Sequence, residues 1–365
     1  MNELNQILQA VKQSEQRGEP CVLATLVRVE GSHYRKPGAR ALVDAQGKIT
    51  GSIGGGCLDT DLILHTREVI YERVPRLLHY DSTSDDDIIF GLGLGCGGMV
   101  EILLEPLIPG RLKRALSSLM SGFETKEKIS MATVIRTDIE SIHSGDRMVL
   151  KGDHQVINDL DNSEVSDWLR NQLIRTSSHS QPSVISRSAC DRGLEVFMEV
   201  VCPPIHLAII GGGNDSLPLA TIAETLGWEI TVMDHRKDFA TAERFPKADR
   251  VVTVEPNEIL SVWENDLPDA VVVLTHHFRN DTRLLLNLLP LELPYLGVLG
   301  SRRRVEKLLN AVEENGLTIT VAMRTRLHSP VGLRIPAESP EEIALAIAAE
   351  IQQELKGGKH PINSR

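Results

Sequence analysis

The sequence predicts an α/β protein: an N-terminal α+β domain over residues 1–203, then a Rossmann-like domain with a doubly wound parallel sheet over residues 204–365. Three observations predict it. His206 to Arg236 reads HLAIIGGGNDSLPLATIAETLGWEITVMDHR, a strand, a glycine turn, a helix and a second strand. Cys202-Pro203-Pro204 makes a stiff, extended join just before it. Upstream of that join, short strand-like runs alternate with glycine-rich turns.

The βαβ unit can be justified residue by residue. Leu207 to Ile210 is an apolar run of the length of a buried parallel strand. Leu217, Ala220, Ile222 and Leu226 recur at helical spacing, Pro218 sits in the first turn, and Gly227 closes the helix. Glu229 to Met233 gives the next strand, ending at Asp234. Gly211 and Gly213 permit a tight turn that lets backbone N–H groups approach a phosphate. The helix N-terminus behind them favours an anion. Asp234, about twenty residues on, is placed to accept hydrogen bonds from a ribose diol. Ser216 stands where the third glycine of G-x-G-x-x-G is expected. The fold can therefore persist without the nucleotide.

The N-terminal half opens on an amphipathic helix, with apolar residues at 4, 7, 8 and 11 and Gly18 at its end. Cys21 to Val29 reads as a strand, and residues 39–44 and 48–53 as a hairpin around Gln46-Gly47. Gly54-Gly55-Gly56 then leads directly into a helix from Leu58 to about Arg73. This is a second anion-ready turn, though not a P-loop, since no Gly-Lys-Ser/Thr follows. Cys57 heads that helix, where a thiol becomes more acidic. It is a candidate reactive thiolate; the alternative is a small residue packed against tight backbone. Asp81 and Asp85 to Asp87 read as a solvated acidic loop. The run GLGLGCGG, residues 91–98, is too rich in glycine for a helix or plain strand. It predicts a backbone platform holding Cys96 between Gly95 and Gly97. Met99 to Glu105 is a strand, residues 111–122 a helix, 129–136 a strand, 146–157 a hairpin and 164–175 a helix. Thr176 to Arg187 is Ser-rich and expected to be exposed, and Leu194 to Val201 is a strand. No internal repeat is visible.

In the second domain, strands are expected near Arg250–Val254, Ala270–Leu274 and Pro294–Leu299. Ligands of open α/β sheets lie at the carboxyl ends of such strands. That puts His276 and His277 in a functional position, together with Ser301, Arg302 and Arg303, which open a helix. Arginine suits bidentate phosphate contacts, although a solvated helix start accounts equally well for any single one. Ser339-Pro340-Glu341-Glu342 starts the last helix.

Composition excludes several function classes. The net charge is −11 and aromatics are 4%, so neither a basic stripe nor stacking platforms for nucleic acid are present. No apolar run has membrane-spanning length, and residues 1–20 do not read as a signal peptide. The five cysteines form no C-x-x-C, which predicts free thiols in a cytoplasmic protein with no zinc site.

RKPGARALV, GSIGGGCLDTD and GLGLGCGG in the first domain carry a family resemblance. So do IIGGGNDSLPLA, VMDHR, ERFPKAD, THHFRND, YLGVLGSRRR and SPEEIALAI in the second. In this order they resemble the XdhC/CoxI family, accessory proteins of xanthine dehydrogenase and related molybdenum hydroxylases. Members commonly carry His, Ala and Asp where this chain has Asn214, Ser216 and His277. The resemblance implies an XdhC-type first domain and a chaperone, not a turnover enzyme. Such a chaperone binds molybdenum cofactor (molybdopterin), protects its sulfurated form and loads a xanthine dehydrogenase-type apoenzyme, with a cysteine desulfurase as sulfur source. It implies a homodimer, as two-fold symmetry also favours. The cofactor's phosphate suits the glycine turns and arginines, and its sulfur-rich metal end suits Cys57 and Cys96. An NAD(P)-dependent oxidoreductase carried by Gly211, Gly213 and Asp234 is the competing expectation.

Overall fold

The computed structural model describes residues 3–31, 33–54, 56–81, 98–112, 114–118, 127–152, 155–176, 182–189, 192–263 and 266–356. The chain divides into two compact units, Glu3–Pro203 and Pro204 onward.

The first unit contains two five-stranded antiparallel sheets. One is built from β1 (Cys21–Glu30), β2 (Arg40–Asp44), β3 (Ile49–Gly51), β4 (Arg76–Asp81) and β5 (Met99–Leu107) in the order β3-β2-β1-β5-β4. The other uses β6 (Ile129–Thr137), β7 (Arg147–Lys151), β8 (Val156–Asn158), β9 (Ser183–Ala189) and β10 (Arg192–Val201) in the order β8-β7-β6-β10-β9. Helix α1 (Glu3–Arg17) precedes the first sheet, and α2 (Gly56–Glu72) covers its outer face through Leu58, Leu62 and Val69, all fully buried. Each such side chain stabilises the layer by roughly 1.5–3 kcal/mol. Helix α3 (Ser163–Thr176) covers the second sheet in the same way through Val165, Leu169 and Leu173.

The two sheets are copies of one plan, contrary to the reading that no repeat is present. Adding five to each strand number of the first sheet gives the strand order of the second. The correspondence extends to single residues. β1 bulges where the ladder passes from Leu26 to Arg28, and β6 bulges where it passes from Val134 to Arg136. The extra residues, Val27 and Ile135, are buried together with Leu103 and Phe197 in one cluster. Arg40 of β2 pairs with Glu199 of β10, and Arg147 of β7 pairs with Glu105 of β5. Each guanidinium also donates to a carbonyl two residues back, Gly38 and Gly145, at 3.1 Å in both cases. Arg28 and Arg136 both reach Glu101 and Glu195. Opposite charges thus cross between the sheets in a two-fold pattern. The sequence trace is thin: Thr25–Arg28 against Thr133–Arg136, and Glu101–Glu105 against Glu195–Glu199. Two further strands differ from expectation. β4 ends on Asp81, which reads as part of an acidic loop, and β9 occupies part of the Ser-rich run. Each completes a sheet edge by pairing with the strand that follows it, β5 and β10.

The second unit is the predicted doubly wound parallel sheet. Its strands are β11 (His206–Ile210), β12 (Glu229–Asp234), β13 (Arg250–Thr253), β14 (Ala270–Val273), β15 (Tyr295–Val298) and β16 (Leu327–His328). Their order, β13-β12-β11-β14-β15-β16, reverses direction between β11 and β14, the switch point of a Rossmann fold. Every pairing is parallel. The central strands are buried on both faces, which explains their unbroken apolar runs. Helices α4 (Ser216–Thr225) and α8 (Pro340–Lys356) cover one face, and α5 (Phe278–Leu288) and α6 (Arg302–Glu314) the other. The short α7 (Val321–Arg326) leads into β16.

Candidate functional site

The glycine turn after β11 sits at the switch point, and its three glycines differ in what surrounds them. Gly211 has φ +119, and a Cβ there would lie 2.7 Å from the Leu274 carbonyl carbon and oxygen, just past the end of the neighbouring strand β14. A Cβ on Gly212 would collide with the Phe239 carbonyl, 3.0 Å from its carbon. Gly213 has nothing within 4 Å on that side. The first two glycines therefore serve chain packing, and the third faces open space at the head of α4. Ser216, which replaces the third glycine of the dinucleotide pattern, is fully buried, and its hydroxyl donates to the Gly211 carbonyl. Asn214 is held by Arg244, whose Nη2 donates to its Oδ1 at 2.6 Å while Nε donates to the Gly212 carbonyl at 2.8 Å.

Asp234 stands at the end of β12, 4% exposed. Its carboxylate is taken by protein donors. Oδ2 accepts the Gly212 N–H at 2.7 Å and Arg236 Nη2 at 2.8 Å, and Oδ1 accepts the Arg236 backbone N–H and Nε. Burial pushes this carboxyl up, but the Arg236 side chain and the Arg236 and Gly212 N–H groups outweigh it and hold it below the usual range. The Arg236 guanidinium is stacked 3.6 Å over Phe239. The crevice beside Asp234, lined by Gly211, Met233, Val254, Pro256 and Leu284 among others, has a volume of about 10 Å³. That is room for one water at most.

Across the switch point, His276 has φ +56, an uncommon conformation for a side-chain-bearing residue. Its Nε2 lies 2.7 Å from Asp215 Oδ2, bridging the loop after β14 to the residue that heads α4. His277 instead caps α5 by accepting the Asn280 N–H. Asp281, 1% exposed, accepts the Thr275 hydroxyl and Arg304 Nη2. Arg304 is thus a structural arginine. Arg302 and Arg303 are exposed at the start of α6, where Ser301 is the cap. Neither makes a side-chain hydrogen bond or ion pair among the described residues. The structure therefore brings Gly213, His276, Ser301, Arg302 and Arg303 to the carboxyl end of one sheet. Arg244, Asp215 and Phe239 join them. No spacing signal in the sequence marks these three.

In the first unit, Gly56 and Cys57 begin α2, as the glycine turn predicts. A Cβ on Gly54 would sit 2.6 Å from Leu58 Cδ1 and 3.6 Å from the His33 ring, so an imidazole stands beside this turn. Gly55, the Cys57 side chain, and Gly95, Cys96 and Gly97 lie outside the described residues. In the second copy, the counterpart of the α2 start is an ordinary helix start: Asn162 Oδ1 accepts the Val165 N–H, with no glycine run. Among the described residues no group of three or more His, Cys, Asp or Glu side chains can hold a metal ion. No helix of the described residues is long and apolar enough to cross a membrane.

Comparison with known proteins agrees with this architecture. Residues 207–351 match the XdhC Rossmann domain, and residues 14–81 match the XdhC and CoxI family. The chain is 31% identical over 342 residues to a Bacillus subtilis protein described as a probable xanthine dehydrogenase subunit, covering 93% of this chain and 94% of that protein. It is 22% identical over 345 residues to the molybdenum cofactor insertion chaperone PaoD of Escherichia coli, covering 94% and 86%. A crystal structure of a xanthine dehydrogenase from Bacillus halodurans superimposes with a TM-score of 0.77 at 29% identity, covering 100% of this chain and 98% of that one. With a two-unit fold, matches in both units and a relative this similar along nearly its whole length, the chain belongs to the XdhC and CoxI family.

Proposed function

We propose that this protein is an accessory factor that binds molybdenum cofactor, protects its sulfurated form and delivers it to a xanthine dehydrogenase-type molybdenum hydroxylase. Family membership and the chaperone named among its relatives support the class of function. The open turn at Gly213 carries the reading of the site. It offers backbone N–H groups and a helix N-terminus to a phosphate, with Arg302 and Arg303 as exposed cations at the same sheet end. Cys57 and Cys96 are the sulfur-handling thiols in this reading, with Gly54 to Gly56, Gly95 and Gly97 as the backbone against which the cofactor lies. A carrier needs tight, reversible contact rather than turnover. A cysteine desulfurase supplies sulfur, and the working form is a cytoplasmic homodimer.

The NAD(P) alternative is weaker on one observation. The acid that would hold the ribose is already occupied by the Arg236 side chain and the Gly212 N–H. The test is reconstitution. Protein from a cofactor-making host should restore activity to an apo-hydroxylase, and Gly213→Val and Cys57→Ala should each lose most of that activity while remaining folded. If both folded variants load the apoenzyme like the parent chain, the site assignment fails.

A further inference from the structure

A cavity of about 580 Å³ opens within the first unit. Its size falls within the range of small-molecule sites. Both sheets contribute to it: the end of β5 and the turn before β4 on one side, the end of β6 and the β6–β7 connection on the other. Its wall is aliphatic, formed by Pro75, Pro106, Leu107, Leu112, Leu116 and Ile142. Leu107, Leu116 and Ile142 are buried even though they face this space.

The charges are unequal. Arg73, Arg111 and Arg147 line the cavity against a single carboxylate, Glu105. Both Glu105 oxygens are already taken by Arg147, Oε1 at 2.7 Å from Nη1 and Oε2 by Nη2. The repeated plan of this unit serves as an internal control. Arg40 and Glu199 make the equivalent pair in the other copy, so the Arg147–Glu105 pair belongs to the shared frame. Arg73 and Arg111 are what this cavity adds. Both are exposed, so they stand where the cavity meets solvent. Neither guanidinium has a hydrogen-bond or ion-pair partner among the described residues. Arg73 also sits at φ +58, directly after α2. Such a backbone conformation is uncommon outside glycine and recurs at ligand sites.

We propose that this cavity binds a small anion with an aliphatic body, of the chemical class of a medium-chain carboxylate or alkyl phosphate. The body is desolvated against the proline and leucine wall, and the head group is held by Arg73 and Arg111. The proposal is independent of the function assigned above, because none of these residues lies in the glycine–cysteine turns or at the switch point.

The experiment is methyl-resolved NMR titration of the full chain with decanoate, decyl phosphate and decanol. Decanoate is expected to bind with a Kd of ~1 mM or tighter, shifting the methyls of Leu107, Leu112, Leu116 and Ile142. The doubly substituted Arg73→Gln/Arg111→Gln chain should bind at least tenfold more weakly, and decanol should bind the parent chain at least tenfold more weakly than decanoate. A decyl phosphate that binds more tightly than decanoate assigns the natural head group to a phosphate. Absence of shifts at these methyls up to about 5 mM ligand would overturn the proposal. So would equal affinity for decanol, or an unchanged affinity in the double variant. Both arginines are exposed, so the variant should fold.

Discussion

Alanine at the three glycines of the β11 turn should separate packing from ligand contact. At Gly211 the backbone is at φ +119 and the new Cβ would meet the Leu274 carbonyl at 2.7 Å. Strained backbone alone costs about 1–3 kcal/mol, and the clash adds to it. At Gly212 the Cβ would press on the Phe239 carbonyl. Overpacking of this kind costs about 1–3 kcal/mol, and moving the glycine turn would also break the 2.7 Å bond from the Gly212 N–H to Asp234. Gly213 has open space and no positive φ. Gly213→Ala should change stability by less than about 1 kcal/mol, and in the stabilising direction through the unfolded chain. Urea unfolding followed by fluorescence reads this directly, because Trp228 and Trp263 are buried in this unit. In the folded chain, Gly213→Val should weaken cofactor binding at least tenfold, about 1.4 kcal/mol. Destabilisation by Gly213→Ala equal to that by Gly212→Ala would refute the reasoning, as would an unchanged Kd for Gly213→Val.

Further outcomes follow from other parts of the chain. Glu199→Gln leaves the Arg40 guanidinium buried and uncompensated, and Glu105→Gln does the same to Arg147; each should cost about 3–5 kcal/mol, measured by denaturant unfolding of the first unit. Asp234 has a folded pKa below its unfolded value of about 3.9, so its contribution is whole above about pH 4 and is lost as pH falls below that. Asp234→Asn should flatten the acid dependence of stability of the second unit in that window. Burial pushes the Cys21 thiol up to about 11, so at neutral pH it should resist alkylation, whereas the exposed Cys202 should react readily; mass mapping after a short iodoacetamide pulse checks both. Light scattering should give twice the 40.3 kDa chain mass at micromolar concentration, and a monomer mass would remove the homodimer from the account.

The sequence is most legible where a strand is buried on both faces. Leu207–Ile210 and Ala270–Val273 are continuous apolar runs because helices cover both sides, and the switch point follows from their order. β4 is less legible. RLLHYD mixes charge with apolar residues, and it is a strand only because β5 lies beside it. The duplication of the first unit is hidden for a similar reason. The two copies share a bulge position and an ion-pair geometry, and such features need only a handful of matching residues. At the candidate site, residue types point to an acid at the end of β12, but not to where its lone pairs go. Arg236 lies only two residues on, and its return to Asp234 depends on a turn and on stacking over Phe239. Asp215 shows no motif in the sequence; only the fold brings it to His276.

The most direct test of the central claim is what the protein carries when purified from a host that makes molybdenum cofactor. Acid–iodine oxidation of the extracted ligand should yield the fluorescent oxidised pterin in near-stoichiometric amount. The yield should fall sharply in Gly213→Val and Cys57→Ala and vanish in a host unable to make the cofactor. A nicotinamide dinucleotide in place of the pterin, or folded protein with no pterin from a competent host, would contradict the account.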